Sequence, residues 1–162
     1  MTVAVNSKTK NRKLALAAAI ATAVAIPAEG LRQIAYQDPV SIWTVCYGTT
    51  TNVVKGKVYS LDECKALLNK DMLQAVKEVD ACAPNAPVNV LAAFSDAAYN
   101  IGSKVACNKS ASTAARKLAA QDWDGACREL PKWDKARIAG VLVALPGLTK
   151  RRAKEMALCL SP

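Results

Sequence analysis

The chain has 162 residues, which is enough for one domain with its own core and too short for two domains of ordinary size. Its composition is 52% hydrophobic with only 5% aromatic residues, which favours helices over a β-sandwich or a barrel. Because the sequence contains no histidine, Ser-His-Asp and Cys-His catalysis and most zinc chemistry are excluded. We therefore expect carboxylates to carry any acid or base catalysis, with no metal or other cofactor.

The formal net charge is +9, and such a basic surface suits nucleic acid, an anionic membrane face or an acidic polymer such as the bacterial wall. Charge alone does not choose among these partners, and scattered solvated lysines and arginines would also account for it. No basic stretch is interleaved with aromatic residues that could stack on bases. We therefore expect no nucleic acid partner.

The N-terminal segment resembles an export signal. Residues 1–13 are polar and basic, and an uncharged, alanine-rich run follows from Leu14 to Ala28. A helix of this length is only about 22 Å long, whereas the hydrocarbon core of a bilayer is roughly 30 Å thick. The segment would therefore be a weak membrane anchor. Three interpretations remain open: a cleaved signal peptide with Ala23-Val24-Ala25 as its cleavage site, a permanent anchor, and a weak anchor that later leaves the membrane. In each of them the basic residues place the N-terminus in the cytoplasm.

The following elements alternate between a small β-rich region and helices. Residues 43–47 and a short piece ending at Tyr59 predict a hairpin region. A capping box from Ser60 to Glu63 begins a helix whose apolar spacing continues to about Ala81. Further helices are predicted at 88–101 and near 110–120, 122–130, 135–143 and 148–159. The expected organisation is an N-terminal arm and apolar segment at 1–27 and one domain at 28–162, of α+β class and mainly α.

Six cysteines occur at positions 46, 64, 82, 107, 127 and 159, without a CxxC pair or a metal-ligand spacing. In an exported protein, an even number of cysteines with such spacings favours disulfides, here three. The alternative is a reduced protein in which the small apolar thiols pack in the core.

The most informative stretch is EGLRQIAYQDPVSIWTVCYGTT, residues 29–50. It places Glu29 at a helix end, Asp38 in a turn and the hydroxyl of Thr44 on a strand, so the three could meet in one cleft. Glycoside hydrolysis needs two carboxylates in different environments, one protonated and one ionised. Without further support, however, a Glu and an Asp at this spacing are most often ordinary surface residues.

This stretch resembles the N-terminal motif of phage-type lysozymes, a catalytic Glu followed by G-L-R, an aromatic residue, a catalytic Asp and T-x-G-Y-G. The matching residues are Glu29, Gly30, Leu31, Arg32, Tyr36, Asp38, Thr44, Tyr47 and Gly48. Weaker matches continue in order through Glu63–Leu68, Asp71, Phe94–Gly102, Trp133, Gly147–Arg152 and Glu155. The resemblance thus spans essentially the whole chain after residue 28.

The resemblance implies a small β-hairpin lobe joined by a long helix to a helical lobe. It implies that Glu29 is the general acid, Asp38 the base or electrostatic partner, and Thr44 the holder of the attacking water in an inverting reaction. Contacts to sugar would come from Thr50, Tyr99 and Asn100.

Two departures from the motif concern Thr49 and Cys46. Thr49 replaces the family's usual His, so an ion pair from that His to Asp71 is missing. Cys46 stands in place of the motif's first Gly, and a disulfide to Cys64 would tie the hairpin to the long helix. For the other cysteines, placement on the helical lobe suggests Cys107 with Cys127 and Cys82 with Cys159, among 15 possible pairings.

The resemblance also bears on the N-terminus, because in this family the catalytic Glu ends a short helix that packs on the C-terminal lobe. Cleavage after Ala25 would remove that helix. The pattern therefore resembles signal-anchor-release endolysins: exported, tethered to the inner membrane through residues 14–26, then released into the periplasm as a monomer.

The expected activity is hydrolysis of the β-1,4 bond between N-acetylmuramic acid and N-acetylglucosamine in peptidoglycan, for host cell lysis. The rival interpretations are a membrane-active, holin-like lysis protein and a non-catalytic wall-binding module. Among enzymes, the rival is a lytic transglycosylase.

Overall fold

The computed structural model describes residues 6–162 and shows a mainly helical α+β fold, as predicted. The seven helices of this part of the chain are α1 (Ser7–Ala25), α2 (Leu61–Cys82), α3 (Val88–Ile101), α4 (Lys104–Cys107), α5 (Thr113–Ala119), α6 (Trp123–Cys127) and α7 (Pro146–Leu160). The strands are β1 (Arg32–Gln37), β2 (Trp43–Cys46), β3 (Lys135–Ile138) and β4 (Val141–Ala144), and a 3-10 turn covers Leu130–Trp133.

Helix α3 forms the centre of the helical lobe. It packs on α1, α2 and α7, and every residue from Val90 to Ala98 is buried. The long helix α2 begins with the predicted capping box, in which the Ser60 hydroxyl accepts from the Glu63 amide at 3.1 Å and the Glu63 carboxylate from the Ser60 amide at 2.7 Å. Helix α2 also contacts β2 and so connects the β-rich region to the helical lobe.

The first hairpin pairs β1 with β2 in antiparallel register, with Tyr36 opposite Thr44. The segment directly after Glu29 therefore supplies one strand, and the piece near Tyr59 adds only an isolated bridge between Ile34 and Val58. This pairing places Asp38 in the turn of the hairpin.

The predicted helix at 135–143 is wrong, because β3 and β4 form a second hairpin there. Ala139 and Gly140 both have positive φ, +48° and +81°, which is the backbone of a tight two-residue hairpin turn. β-Branched Ile138, Val141 and Val143 surround this turn and favour extended backbone. The local turn chemistry therefore outweighs the apolar spacing that suggested a helix.

Helix α1 belongs to the hydrophobic core of the described structure. One face of the uncharged run is buried against α2 and α3: Leu14, Ala17, Ala18, Ala21 and Ala25. At its basic end, the ammonium groups of Lys10 and Lys13 lie 3.3 and 3.6 Å from the Asp80 carboxylate on α2, whose side chain is 5% exposed. Among the described helices, none combines the length and apolarity that a bilayer crossing requires.

The three disulfides are Cys46–Cys64, Cys82–Cys107 and Cys127–Cys159. The first is the pairing that the resemblance implied, and it ties the first hairpin to α2. The other two implied pairings, Cys107 with Cys127 and Cys82 with Cys159, are wrong. Helices α2 and α4 pack together at their ends and bring Cys82 to Cys107, while α6 packs on α7 and brings Cys127 to Cys159.

Peptide mapping of the exported protein without reduction should recover these three linked pairs and no free thiol. Each crosslink closes a loop of 18 to 32 residues, which in the chain-entropy model limits the unfolded ensemble by about 3 kcal/mol. A linked Cys107–Cys127 peptide would contradict the packing of α4 against α2, and six free thiols would contradict the disulfide assignment altogether.

Candidate active site

Glu29 lies just beyond α1 and is held by the end of that helix. The amides of Ala28 and Glu29 both donate to the Ala25 carbonyl at 2.9 Å. The Glu29 side chain is 23% exposed, and its Oε1 accepts a hydrogen bond from the Arg151 guanidinium at 2.5 Å. No described protein group donates to Oε2, so that oxygen remains available to a substrate or a proton.

Arg151 is fixed by a second carboxylate from α3. Its Nε and Nη2 donate to the two Asp96 oxygens at 3.0 and 2.8 Å, in a bidentate pair that is almost fully buried. Burial lowers the pKa of Arg151, but the hydrogen bonds and charges of Asp96 and Glu29 raise it above its usual value. The guanidinium therefore stays positive and holds one Glu29 oxygen in place.

A neighbouring buried pair supports this arrangement from α7. Arg152 donates to the Asn100 side chain at 2.9 Å and to Glu155 at 2.6 Å. Burial, together with a hydrogen bond to Asp96, raises the pKa of Glu155 to about 9. Burial and Asp96 therefore disfavour ionisation of this carboxyl, while the Arg152 guanidinium that donates to it favours ionisation.

Glu29 opens onto a cleft of about 350 Å³ between the β-rich region and the helical lobe. Three predicted sugar-contact residues line the same space, namely Thr50, Tyr99 and Asn100. The Tyr99 hydroxyl donates to the Tyr47 carbonyl at 2.7 Å. Because burial and the nearby Glu29 carboxylate raise its pKa, this hydroxyl remains a donor. The structure thus brings these three residues together with Glu29.

Asp38 and Thr44 lie on the first hairpin and are outside the lining of this cleft. Asp38 Oδ1 accepts from the amides of Val40 and Ile42 at 2.9 and 2.8 Å, which fixes the carboxylate in the turn and leaves Oδ2 without a protein donor among the described residues. Thr44 is 5% exposed, and its hydroxyl donates to the Ile42 carbonyl at 3.1 Å. Ile42 therefore links the two side chains.

Thr49 compensates in part for the histidine that the motif usually carries. Its hydroxyl donates to Asp71 at 2.7 Å, and its side chain is buried. A hydrogen bond thus takes the place of the expected ion pair at the cleft wall, between the hairpin region and α2.

The sequence alone indicates no role for Asp96 or Arg151. Arg151 is 122 residues from Glu29, so no local pattern connects them. The only signal was that both belong to segments that match the family motif. Among the described residues, no group of three or more acidic or cysteine side chains could hold a metal ion.

The comparisons with known proteins show a family and a fold. The family model described as Phage lysozyme matches residues 27–155. A SAR-endolysin of Enterobacteria phage P21 is 37% identical over 134 residues, which cover 82% of this chain and 77% of the relative.

Two solved structures share the fold. The muramidase domain of SpmX from Asticaccaulis excentricus has a TM-score of 0.77 and 28% identity, covering 88% of this chain and 95% of its own. The active form of the P1 phage endolysin Lyz has a TM-score of 0.73 and 26% identity, covering 87% and 83%. With this family match, fold and cleft, the chain belongs to the phage lysozyme family and is a muramidase that acts in peptidoglycan lysis.

Proposed function

We propose that the protein hydrolyses the β-1,4 bond between N-acetylmuramic acid and N-acetylglucosamine, with Glu29 as the general acid. The observation that carries this assignment is the placement of the two oxygens of the Glu29 carboxyl. Arg151 fixes one oxygen, and the other lies free at a cleft. A free oxygen can carry the proton that the leaving sugar oxygen requires.

Asp38 is the proposed base or electrostatic partner, and Thr44 the proposed holder of the attacking water. Two backbone amides hold one oxygen of Asp38 in the turn, and its other oxygen, Oδ2, is free to accept a proton from water. The Thr44 proton is committed to the Ile42 carbonyl, so its oxygen can accept a hydrogen bond from the same water. An inverting reaction needs room for this water, with the two carboxyl groups roughly 6.5 to 9.5 Å apart.

Thr50, Tyr99 and Asn100 are the proposed sugar contacts. They line the cleft beside Glu29 and offer a hydroxyl, an aromatic face and a side-chain amide. These groups suit a neutral polar ligand such as an N-acetyl sugar.

We also propose that residues 1–27 act first as a weak inner-membrane anchor and that residues 28–162 form the catalytic domain, which works in the periplasm as a monomer after release. The SAR-endolysin name of the P21 relative supports this sequence of states. The similarity to the active form of the P1 endolysin supports the described fold, with α1 packed in the core, as the released state. In the tethered state α1 cannot pack on α3, so the support of Glu29 is missing and the enzyme is inactive.

Product analysis tests the proposed reaction. Mass spectrometry of digested peptidoglycan should find muropeptides with reducing N-acetylmuramic acid ends, and proton NMR of early products should find the α-anomer. Anhydro-muramic ends would indicate a lytic transglycosylase, and an initial β-anomer would contradict inversion. Binding without glycan shortening would indicate a wall-binding module. Lysis that survives loss of both Glu29 and Asp38 would favour a holin-like protein.

A further inference from the structure

Asp96 is a buried carboxylate near the candidate catalytic acid, and the proposed reaction gives it no task. It lies on α3, its side chain is fully buried, and both of its oxygens accept hydrogen bonds from Arg151. The distances are 3.0 Å from Nε and 2.8 Å from Nη2. These two nitrogens form one edge of the planar guanidinium, so the bidentate pair fixes the orientation of the Arg151 head group.

This orientation determines how Arg151 meets Glu29. Nη1 donates to Oε1 of Glu29 at 2.5 Å, and no protein group within residues 6–162 donates to Oε2. A guanidinium and a carboxylate frequently form two parallel hydrogen bonds when both are free to align. Because Asp96 already occupies one edge of the guanidinium and holds it in place, Glu29 is bound through a single oxygen.

Asp96 also balances the positive charge of Arg151. Glu155 lies 3.7 Å from Arg151 Nε, but it accepts a hydrogen bond from Arg152 at 2.6 Å. Asp96 is therefore the main negative partner of Arg151 apart from Glu29. Without Asp96, the guanidinium would face Glu29 with an unbalanced charge in a weakly screened position, which favours the ionised form of a carboxyl group.

Other titratable or charged side chains also surround Glu29. Those that line the same two spaces are Asp71 on α2, Tyr99 on α3, and Lys150, Arg151 and Lys154 on α7. In the described part of the chain, Arg151 alone forms an ion pair with Glu29. The pairing of Arg151 with Asp96 is therefore the contact through which a change on α3 reaches the catalytic carboxyl most directly.

We propose that Asp96 is a positioning residue for the muramidase reaction: through Arg151 it keeps one oxygen of Glu29 free and allows that carboxyl to retain its proton. Asp96 itself is fully buried and touches no reacting atom. This inference rests on the proposed role of Glu29 as the general acid, and it explains how an arginine can hold that acid without converting it permanently into a carboxylate.

The test measures the pH dependence of kcat/KM on purified peptidoglycan for two neutral variants, Asp96→Asn and Asp96→Ser. Serine is included because it does not place an amide NH2 group against the donors of Arg151. The matched control is Glu129→Gln. Glu129 is also a nearly buried carboxylate, it pairs with Lys117 and Lys132 at 2.9 and 2.7 Å, and it does not line the cleft.

We expect the alkaline limb of the kcat/KM profile to lie about one pH unit lower in both Asp96 variants than in the wild type. An unbalanced cation beside a carboxyl typically shifts its ionisation by about one to three units, and this limb reports the loss of the proton from the general acid. At a pH on this limb kcat/KM should fall about tenfold, with a smaller loss at acid pH. The Glu129 variant should lose thermal stability and keep the wild-type profile.

A double variant, Asp96→Asn with Arg151→Gln, separates charge from packing. It removes the cation together with its balancing anion, so its alkaline limb should return to the wild-type position or lie above it, even if kcat is lower. Thermal unfolding shows which variants fold. If neither single variant folds, a limb of the double variant that lies below the wild-type limb contradicts the proposal.

An unchanged alkaline limb in a folded Asp96 variant, with only kcat or stability reduced, would show that Asp96 is merely structural and would overturn this inference. A limb displaced to higher pH would overturn it as well. Both outcomes leave the muramidase assignment intact if Glu29→Gln is inactive. An active Glu29→Gln variant would instead overturn the proposed role of Glu29, and this inference with it.

Discussion

Replacing Glu29 with glutamine is expected to remove nearly all muramidase activity while leaving the fold intact. Glutamine keeps the size of the side chain and its carbonyl can still accept from Arg151, but it cannot deliver a proton to the leaving oxygen. General acid catalysis typically contributes about 10² to 10⁴-fold, so the loss should be at least about a hundredfold. The measurements are the release of reducing ends from purified peptidoglycan and the thermal unfolding of the variant.

The matched control is Glu78→Gln, which makes the same change on an exposed face of α2. It should retain wild-type activity. If Glu29→Gln kept more than a tenth of the wild-type rate, Glu29 would not be the general acid. Asp38→Asn should also be severely impaired, since an amide cannot accept the proton of the attacking water.

Arg151 and Asp96 show which parts of the site the sequence could not predict. Glu29 is a candidate because its neighbours form a motif, and the Ser60 capping box and α3 were predicted because their signals are local. The ion pairs from Arg151 to Glu29 and Asp96 join elements that are far apart in the chain, so they depend on tertiary packing. The two incorrect disulfide pairings have the same cause, because cysteine spacing does not reveal which helix ends pack together.

The hairpin at 135–144 was missed for a different reason. Its apolar residues fit a helical period as well as a strand, and short apolar runs cannot be assigned by periodicity alone. The Ala139-Gly140 turn was the available signal, but an alanine with positive φ is uncommon and was not anticipated. Ile138, Val141, Leu142 and Val143 remain exposed in this hairpin.

Helix α1 meets two opposing requirements in the proposed release cycle. Its buried face consists mainly of alanines, which allow close packing against α3, and Lys10 and Lys13 pair with the buried Asp80 at its basic end. The same small side chains contribute little to membrane insertion compared with leucine. The alanines that pack well in the folded core thus also make this segment a weak membrane anchor.

Raising the hydrophobicity of the exposed face of α1 should therefore trap the protein in the membrane without disturbing the folded enzyme. Ala15→Leu with Ala19→Leu is the suitable change, because both residues are exposed in the folded state and lie outside Ala23-Val24-Ala25. Leucine at Ala18 or Ala21 would instead overpack the core, since both alanines are buried. Two added leucines favour insertion by about 1 kcal/mol, so the released fraction should fall about fivefold and lysis should be delayed.

The control places the same two leucines at Ala153 and Ala157, which are exposed on α7. The measurements are intact mass and wall-degrading activity of the membrane and periplasmic fractions. The Ala15/Ala19 variant should accumulate uncleaved in the membrane and be inactive there, and it should regain activity when it is extracted and folded.

Loss of the first 25 residues from the active species would favour an ordinary signal peptide, and full activity of the tethered fraction would contradict inhibition. Equal release of both variants would show that the uncharged run does not determine membrane retention, because only the Ala15/Ala19 change makes that run more hydrophobic.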